Sequence, residues 1–493
     1  MEVTSDRFKA SARAALLDMQ LHTAMERGGS ALVGNRRNAM ASLPTFEALR
    51  AHAGEVKAHT LDHLDHYLAQ LTDAVEGLGG TVHFALDAAE ANRIVTEVAR
   101  AEGVESVVKS KSMLSEEIGL NAALEAAGVT PIETDLGEYI LQLGDDVPSH
   151  IIAPALHWTR ERVAALFAAE LGTPADADPV ALTRAARVEL RRAFLRADMG
   201  VTGVNFAVAE TGTIVLVENE GNIRLSTGAP RVHLAIMGLE KVLPRLRDLP
   251  TFLALLARSA TGQASSSYVS LITGPKRAGE RHGPERFHLV IVDAGRSAVL
   301  ADPKLRDALR CIRCGACLNH CPVYREVGGH AYGWVYGGPI GAILDPGLLG
   351  LERTRDLPQA SSLCGACGDV CPVSIPIPDL LIEHRRRGVE LGLAPRGEHA
   401  AIGAFAFVAT RPSLWEAGTA AGRAASQLLR DDMSLRGGWL PLLRDWLRER
   451  DFPAPAQRAF RERWRAGIAD EPVAAVAPAA PAAAAPAAPE EGA

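Results

Sequence analysis

The seven cysteines of this 493-residue chain all fall between Cys311 and Cys371, spaced as thiolates gathered on metal are spaced. CIRCGACLNHCP sets Cys311, Cys314, Cys317 and Cys321 in a CxxCxxCxxxCP run, the pattern that wraps an iron–sulfur cube. Two-residue spacers let three thiolates converge on three corners of one cube, and the small Gly315 and Ala316 leave room for the backbone to approach inorganic sulfur. The cysteine before Pro322 is turned away, and in two-cluster ferredoxins it serves the other cluster. By the same rule Cys371, followed by Pro372, completes the first site. The spacing predicts two 4Fe-4S clusters, one on Cys311, Cys314, Cys317 and Cys371, the other on Cys321, Cys364 and Cys367. Structural zinc also uses CxxC pairs, but three cysteines in CxxCxxC crowd a tetrahedral ion, and two Cys-Pro closures have no zinc rationale.

The second motif, SSLCGACGDVCP (361–372), has three cysteines where the bacterial ferredoxin run has four. Counting back from Cys364 by the same spacing, the fourth ligand falls on Ser361. Four readings stay open: a hydroxyl of Ser361 or Ser362 on iron, a ligand from elsewhere, an open iron, or a 3Fe-4S cluster. An open iron could act as a Lewis acid. With no acid–base pair beside the motif, electron carriage is the reading the residues favour. Val323, Val373, Ile375 and Ile377 are expected to keep water from the clusters. Arg313 is expected to raise a potential by favouring the more negative reduced form.

Elsewhere the chemistry is sparser, and no catalytic residue is assigned. VENEGNIRLSTG (217–228) places Glu218, Glu220 and Asn222 just after an apolar strand, where carboxylates can be desolvated and made basic or nucleophilic, although solvated turn residues are commoner there. His150 and His157 read as hydrogen-bonded structural groups. EGLGGT (76–81) precedes a strand instead of following one, so it is a turn and not a dinucleotide fingerprint. There is no GxxxxGK[ST] run, and any flavin would have to come from a partner. GGHAYGWVYGGPIGAIL (328–344) is expected to be irregular and to pack over a cluster.

The elements that must position these groups follow from composition and period. Residues 1–60 read as helices without a visible site. From TVHFAL (81–86) apolar strand-like runs alternate with helices, which argues for a parallel sheet covered by helices in an α/β domain over 61–300. Within it VNFAVA and TIVLVE form a hairpin, and RVHLAIMG, YVSLITG and FHLVIVDAG are expected to be buried strands. Residues 301–390 are the cysteine region, introduced by a short amphipathic helix, PKLRDALRCIRC, and 391–470 are helical. The Ala/Pro tail, 471–493, is expected to be disordered. A formal charge of −7 without a basic stripe argues against nucleic acid. No signal peptide and no run of eighteen apolar residues is present, so a cytoplasmic protein without a transmembrane segment is expected.

Several stretches together resemble the lactate utilization protein B family over roughly residues 30–465. They are KSKSMLSEEIGLN, ETDLGEYILQL, PSHIIAPALH, GVNFAVAETGTIVLVENEGNIR, the two cysteine runs with GGHAYGWVYGGPIGAIL between them, and DWLRERDFPAPAQRAFRERW. The resemblance implies that 61–300 is a LUD domain, similar in fold to CoA transferases and sugar-phosphate isomerases. It implies two 4Fe-4S clusters and an electron-transfer role in oxidising L-lactate to pyruvate. It also implies partners: a CCG-domain iron–sulfur subunit, a LUD-only subunit and an unidentified electron acceptor. The three-cysteine second motif looks like the family's own form. Two other readings are carried forward: an enzyme acting on a hydroxy acid or CoA ester at the LUD domain or an open iron, and an assembly scaffold with structural clusters.

Overall fold

Short Val- and Ile-rich runs build the centre of the chain. In the computed structural model, which describes residues 2–427, 430–431, 434–435, 453, 455–456 and 458–467, six of them form one parallel sheet. In chain order the strands are β1 (Thr81–Ala85), β2 (Ser106–Lys109), β3 (Thr130–Glu133), β4 (Met199–Gly203), β5 (Phe206–Val208), β6 (Thr213–Glu218), β7 (Val232–Gly238), β8 (Val242–Leu243), β9 (Tyr268–Ile272) and β10 (Arg286–Val292). The large sheet runs β1-β10-β7-β4-β2-β3, and every pairing in it is parallel. Its central strands are buried on both faces, as a helix-covered parallel sheet requires: Val107, Val201, Leu234, Ile236 and Ile291 have almost no exposure. The helix Ala88–Ala101 shows how the cover forms. Asp87 caps it by accepting the Glu90 N–H at 2.8 Å, and Ala91, Ile94, Val95 and Val98 give it one buried stripe.

Parallel strands put their carboxyl ends on one edge, so the segments after Lys109, Glu133, Gly203 and Gly238 meet there. A second sheet, ordered β8-β5-β6-β9, leans on the first. Its β5–β6 hairpin is the predicted one, turning through Gly212 at φ +63°. The YVSLITG strand departs from expectation. It is β9, an edge strand paired only with β6, and Tyr268, Val269 and Leu271 are exposed instead of buried.

The cysteine region holds two further departures. PKLRDALRCIRC yields a 3₁₀ turn, Arg306–Arg310, because Cys311 leaves helical geometry (ψ 124°). GGHAYGWVYGGPIGAIL is irregular only through its first half. Helix Gly338–Leu349 takes the second, with Pro339 in the first turn, where its missing N–H costs nothing, and with Ile340, Ile343 and Leu344 buried. Gly338 itself sits at φ +66°, and a Cβ there would lie 2.7 Å from Leu318 Cγ.

One apolar core runs from the amino-terminal helices through the small sheet into the cysteine region, joining Phe46, Leu71, Phe206, Leu309, Tyr324 and Val373. Residues 1–393 accordingly make one compact unit. Residues 394–493 make a second, whose described part includes helices Arg396–Ala409, Pro412–Gln427 and Phe460–Arg465, the last two joined by Arg423–Glu462 and Arg465–Glu416 ion pairs. The tail 471–493 lies outside the described residues. Among the described residues no helix is long and apolar enough to cross a membrane.

Candidate iron–sulfur centre and adjoining cleft

Both cysteine motifs fold the same way. In each, the residue before the second-position cysteine and the glycine after it take left-handed backbone: Arg313 at φ +61° and Gly315 at +73°, Leu363 at φ +56° and Gly365 at +87°. A one-turn helix follows, Ala316–Asn319 in the first and Ala366–Asp369 in the second, and Cys317 and Cys367 sit at matching places in them. Left-handed geometry at a non-glycine residue is strained, and its repetition at Arg313 and Leu363 marks a constrained loop.

Cys311, Cys314, Cys317 and Cys371 line one enclosed space with Gly315, Ile340, Val373, Ile375 and Ile377. Cys321, Cys364 and Cys367 form a second neighbourhood, where the charges of Cys321 and Cys364 act on Cys367. All seven thiols are free. Backbone amides point at sulfur in three places: Arg313 N–H to Cys311 Sγ at 3.4 Å, Ile375 N–H to Cys371 Sγ at 3.4 Å, and Tyr324 N–H to Cys321 Sγ at 3.5 Å. Burial pushes the Cys314 thiol up to about 12 and that of Cys367 to about 11. Buried thiols that resist ionisation alone, gathered in two groups and met by amide N–H donors, are a donor set that fits iron–sulfur clusters. Val373, Ile375 and Ile377 are buried as expected, and Val323 is half-buried. The two groups differ in exposure: Cys364 is the exposed cysteine. Ser361 Oγ accepts the Leu363 N–H at 3.1 Å, and its carbonyl accepts from Arg385 Nη2 at 2.9 Å; Ser362 is exposed.

The clamps on these loops come from helices that carried no visible signal. Arg50, on helix Phe46–Asp62, donates through Nε to the Cys371 carbonyl at 2.7 Å and through Nη2 to that of Gly368 at 2.8 Å. Arg36 donates to the Val370 carbonyl at 3.0 Å. His150 is structural, as expected. Its Nδ1 accepts the Ile152 and Ala153 N–H groups at 3.0 and 3.1 Å, so Nε2 donates to Asn319 Oδ1 at 3.0 Å, and burial lowers it to about 4. His157 bridges Ser149 Oγ (2.6 Å) and Asp146 Oδ2 (3.1 Å).

Beside the first thiol group, at the carboxyl edge of the large sheet, lies a cleft of about 400 Å³. Lys111, Asp135, Glu220, Lys241 and Arg313 line it, with Glu240 at its base. Glu240 takes Arg296 Nε at 2.9 Å and Arg313 Nη2 at 3.2 Å. Despite complete burial its carboxyl is held at about 2, because Arg296 and Arg313 outweigh the desolvation. Arg296 also grips Glu117 with two bonds, at 2.8 and 2.7 Å, while Tyr336 OH donates to the same carboxylate at 2.7 Å. Lys57 Nζ donates to the Glu240 carbonyl. The Arg313 guanidinium lies 4.7 Å from the centre of the Tyr336 ring. Arg313 and Ile151 are walls of both the cleft and the thiol space.

The strand-end residues divide in role. Glu218 is committed to the backbone, accepting the N–H groups of Ile223 at 2.7 Å and Arg224 at 3.0 Å at the start of helix Asn222–Gly228. Asn222 donates to Thr134 Oγ1 at 3.3 Å. Glu220 stands on the exposed rim, accepts the Leu136 N–H at 3.1 Å, and is pushed up to about 7 by desolvation at the cleft wall and by Asp135. The adjacent Glu240 and Lys241, then Arg296 and Tyr336, come from three separate segments. Their signal was a charged or phenolic residue interrupting an apolar run, which spacing alone cannot connect.

The chain matches three described families in succession: LUD domain over residues 68–292, 4Fe-4S dicluster domain over 307–375, and Lactate utilisation protein B, C-terminal, over 384–467. It is 46% identical to lactate utilization protein B of Shouchella clausii, across 94% of this chain and 98% of that one. The counterpart from Geobacillus thermodenitrificans is 47% identical, over 87% of this chain and 90% of its own. An uncharacterized electron transport protein, YkgF, of Escherichia coli is 43% identical over 96% and 99%. A solved DUF162 family protein from Deinococcus radiodurans is 16% identical over 46% of this chain and 98% of its own, with a TM-score of 0.25.

Proposed function

Because the chain belongs to the lactate utilization protein B family, we propose that it is the iron–sulfur electron-transfer subunit of a system oxidising L-lactate to pyruvate. The observation that carries this reading is the exchange of cysteines between motifs. Cys371 of the second shares an enclosed space with Cys311, Cys314 and Cys317 of the first, and Cys321 of the first interacts with Cys364 and Cys367 of the second. That exchange is the two-cluster ferredoxin rule, and it supports Cys311, Cys314, Cys317 and Cys371 as one ligand set. The other set is Cys321, Cys364 and Cys367, with Ser361 the candidate fourth donor.

Lactate oxidation releases two electrons and two protons; held by these thiolates, each cluster supplies one-electron transfer. The chain's own groups hold and insulate the pair. Arg36 and Arg50 fix the second loop, Val373, Ile375 and Ile377 exclude water, and Arg313 sets a cation beside Cys311. The proposed partners are a CCG-domain iron–sulfur subunit, a LUD-only subunit and an electron acceptor.

Anaerobic electron paramagnetic resonance of the full chain mixed with those partners, before and after L-lactate, tests the proposal. A lactate-dependent reduced-cluster signal, lost with Cys314→Ala, is expected. Lactate turnover with clusters that never change oxidation state would leave the scaffold reading instead. A signal with lactate but no partners would assign the chemistry to this chain.

A further inference from the structure

The walls of the cleft hold two basic side chains with a donor atom that has no hydrogen-bond acceptor, and burial lowers the Lys111 amine against the opposing pull of Asp135, Glu138 and Glu220. Lys111 Nζ is sealed from solvent and makes no hydrogen bond, and neither does Nη1 of Arg313, a residue 8% exposed. Leaving buried N–H donors unpaired is costly, so their presence at the walls of a cleft points to an acceptor that enters it. Of the other cations nearby, Arg296 is engaged with Glu117 and Glu240 and Lys57 with the Glu240 carbonyl, while Lys241 adds a further basic group to the lining.

We propose that this cleft binds a small monocarboxylate bearing an α-hydroxyl or α-oxo oxygen, its carboxylate taken by Arg313 and its second oxygen by Lys111. Two separate orphan donors call for two acceptor groups on one ligand. Ile151, Ile152 and Met237 supply apolar wall for a short alkyl end. A phosphate is disfavoured because the helix starts that open here are already capped by carboxylates. Asp135 and Glu220 take the Gly137, Glu138 and Leu136 N–H groups, and Glu218 takes those of Ile223 and Arg224. Asp135, Glu218 and Glu220 would also repel a dianion more than a monoanion. The choice of lactate as probe rests on the electron-transfer reading; the anion site itself does not.

The test is calorimetric titration of the anaerobic, iron-replete full chain with L-lactate, pyruvate, acetate and inorganic phosphate. Lactate or pyruvate is expected to bind more tightly than acetate, which lacks the second oxygen, and than phosphate. Lys111→Met is expected to weaken that binding roughly ten- to a hundredfold, the loss of a charge-assisted hydrogen bond, with iron content unchanged. Absence of lactate and pyruvate binding, preference for phosphate, or unaltered affinity in Lys111→Met would overturn the site. Should Lys111→Met lose iron, the native chain decides: its affinity for lactate or pyruvate must exceed that for acetate and for phosphate, and equal affinities overturn the proposal. Lys111-dependent binding without lactate-driven reduction in the partner mixture would keep this site and remove the relay. Reduction without binding would do the reverse.

Discussion

Arg313 lies between two cysteines and two spaces. Its left-handed backbone turns the side chain away from the thiol loop toward Glu240 and the Tyr336 ring, while its own N–H points at Cys311 Sγ. A buried cation there favours the more negative state of whatever the thiolates hold. Arg313→Ala is therefore expected to lower the midpoint potential of the first cluster, on the order of tens of millivolts for one charge at an effective dielectric of about 20. A redox titration followed by paramagnetic resonance checks this. His233 gives a residue-scale prediction of another kind. It is fully buried, its Nε2 is 2.8 Å from Thr202 Oγ1, and desolvation lowers it to about 3. The unfolded chain takes up a proton near pH ~6.5 that the folded chain refuses. The neutral ring's stability is thus complete above that pH and is lost as pH falls toward about 3. Relative to His233→Asn, the native chain should lose about 1.4 kcal/mol per pH unit through that window. Anaerobic thermal midpoints of the two proteins at pH values from neutral to mildly acidic measure the difference.

At the scale of elements, helix Phe46–Asp62 acts as a splint on the second cysteine loop. Gly54 brings it so close that an added Cβ would lie 3.1 Å from the Val373 carbonyl, and Arg50 ties down the Cys371 and Gly368 carbonyls. Arg50→Ala leaves two carbonyls without their charged donor and should cost about 1–3 kcal/mol. Lower iron retention and a lower thermal midpoint are the expected readouts, with Arg50→Lys intermediate. This helix is also where sequence reading fell short. The cysteine spacing and the strand–helix alternation were legible because both are local: a CxxC turn and a Val-Val run each carry their geometry within a few residues. Arg36 and Arg50 act on segments more than 300 residues away, and nothing in their neighbourhood announces it. The cleft was missed for the same reason, since Lys111, Glu240, Arg296 and Arg313 meet only after the parallel sheet aligns its strand ends. YVSLITG read as buried because its composition suits a core strand, whereas its place at a sheet edge is decided by pairing. The helix at Gly338–Leu349 was hidden by glycine content, though Pro339 in its first turn is a helix-start signal.

Across the molecule, the shared core makes the large sheet, the amino-terminal helices and the cysteine region interdependent. Removing iron should therefore destabilise residues 1–393 together and not the cysteine loops alone. Hydrogen exchange at β4 and β7, far along the chain from any cysteine, is expected to quicken after chelation. The unequal exposure of the two thiol groups has its own consequence under air. Cys364 meets solvent, whereas Cys314, Cys317 and Cys371 are enclosed with Ile340, Val373 and Ile375. Dioxygen should therefore attack in sequence, bleaching the outer group quickly and the inner one slowly, so that absorbance decays in two phases. An early air-exposed sample would then hold one intact centre and one damaged one, and the rate of the first phase would report how well a docked partner covers Cys364.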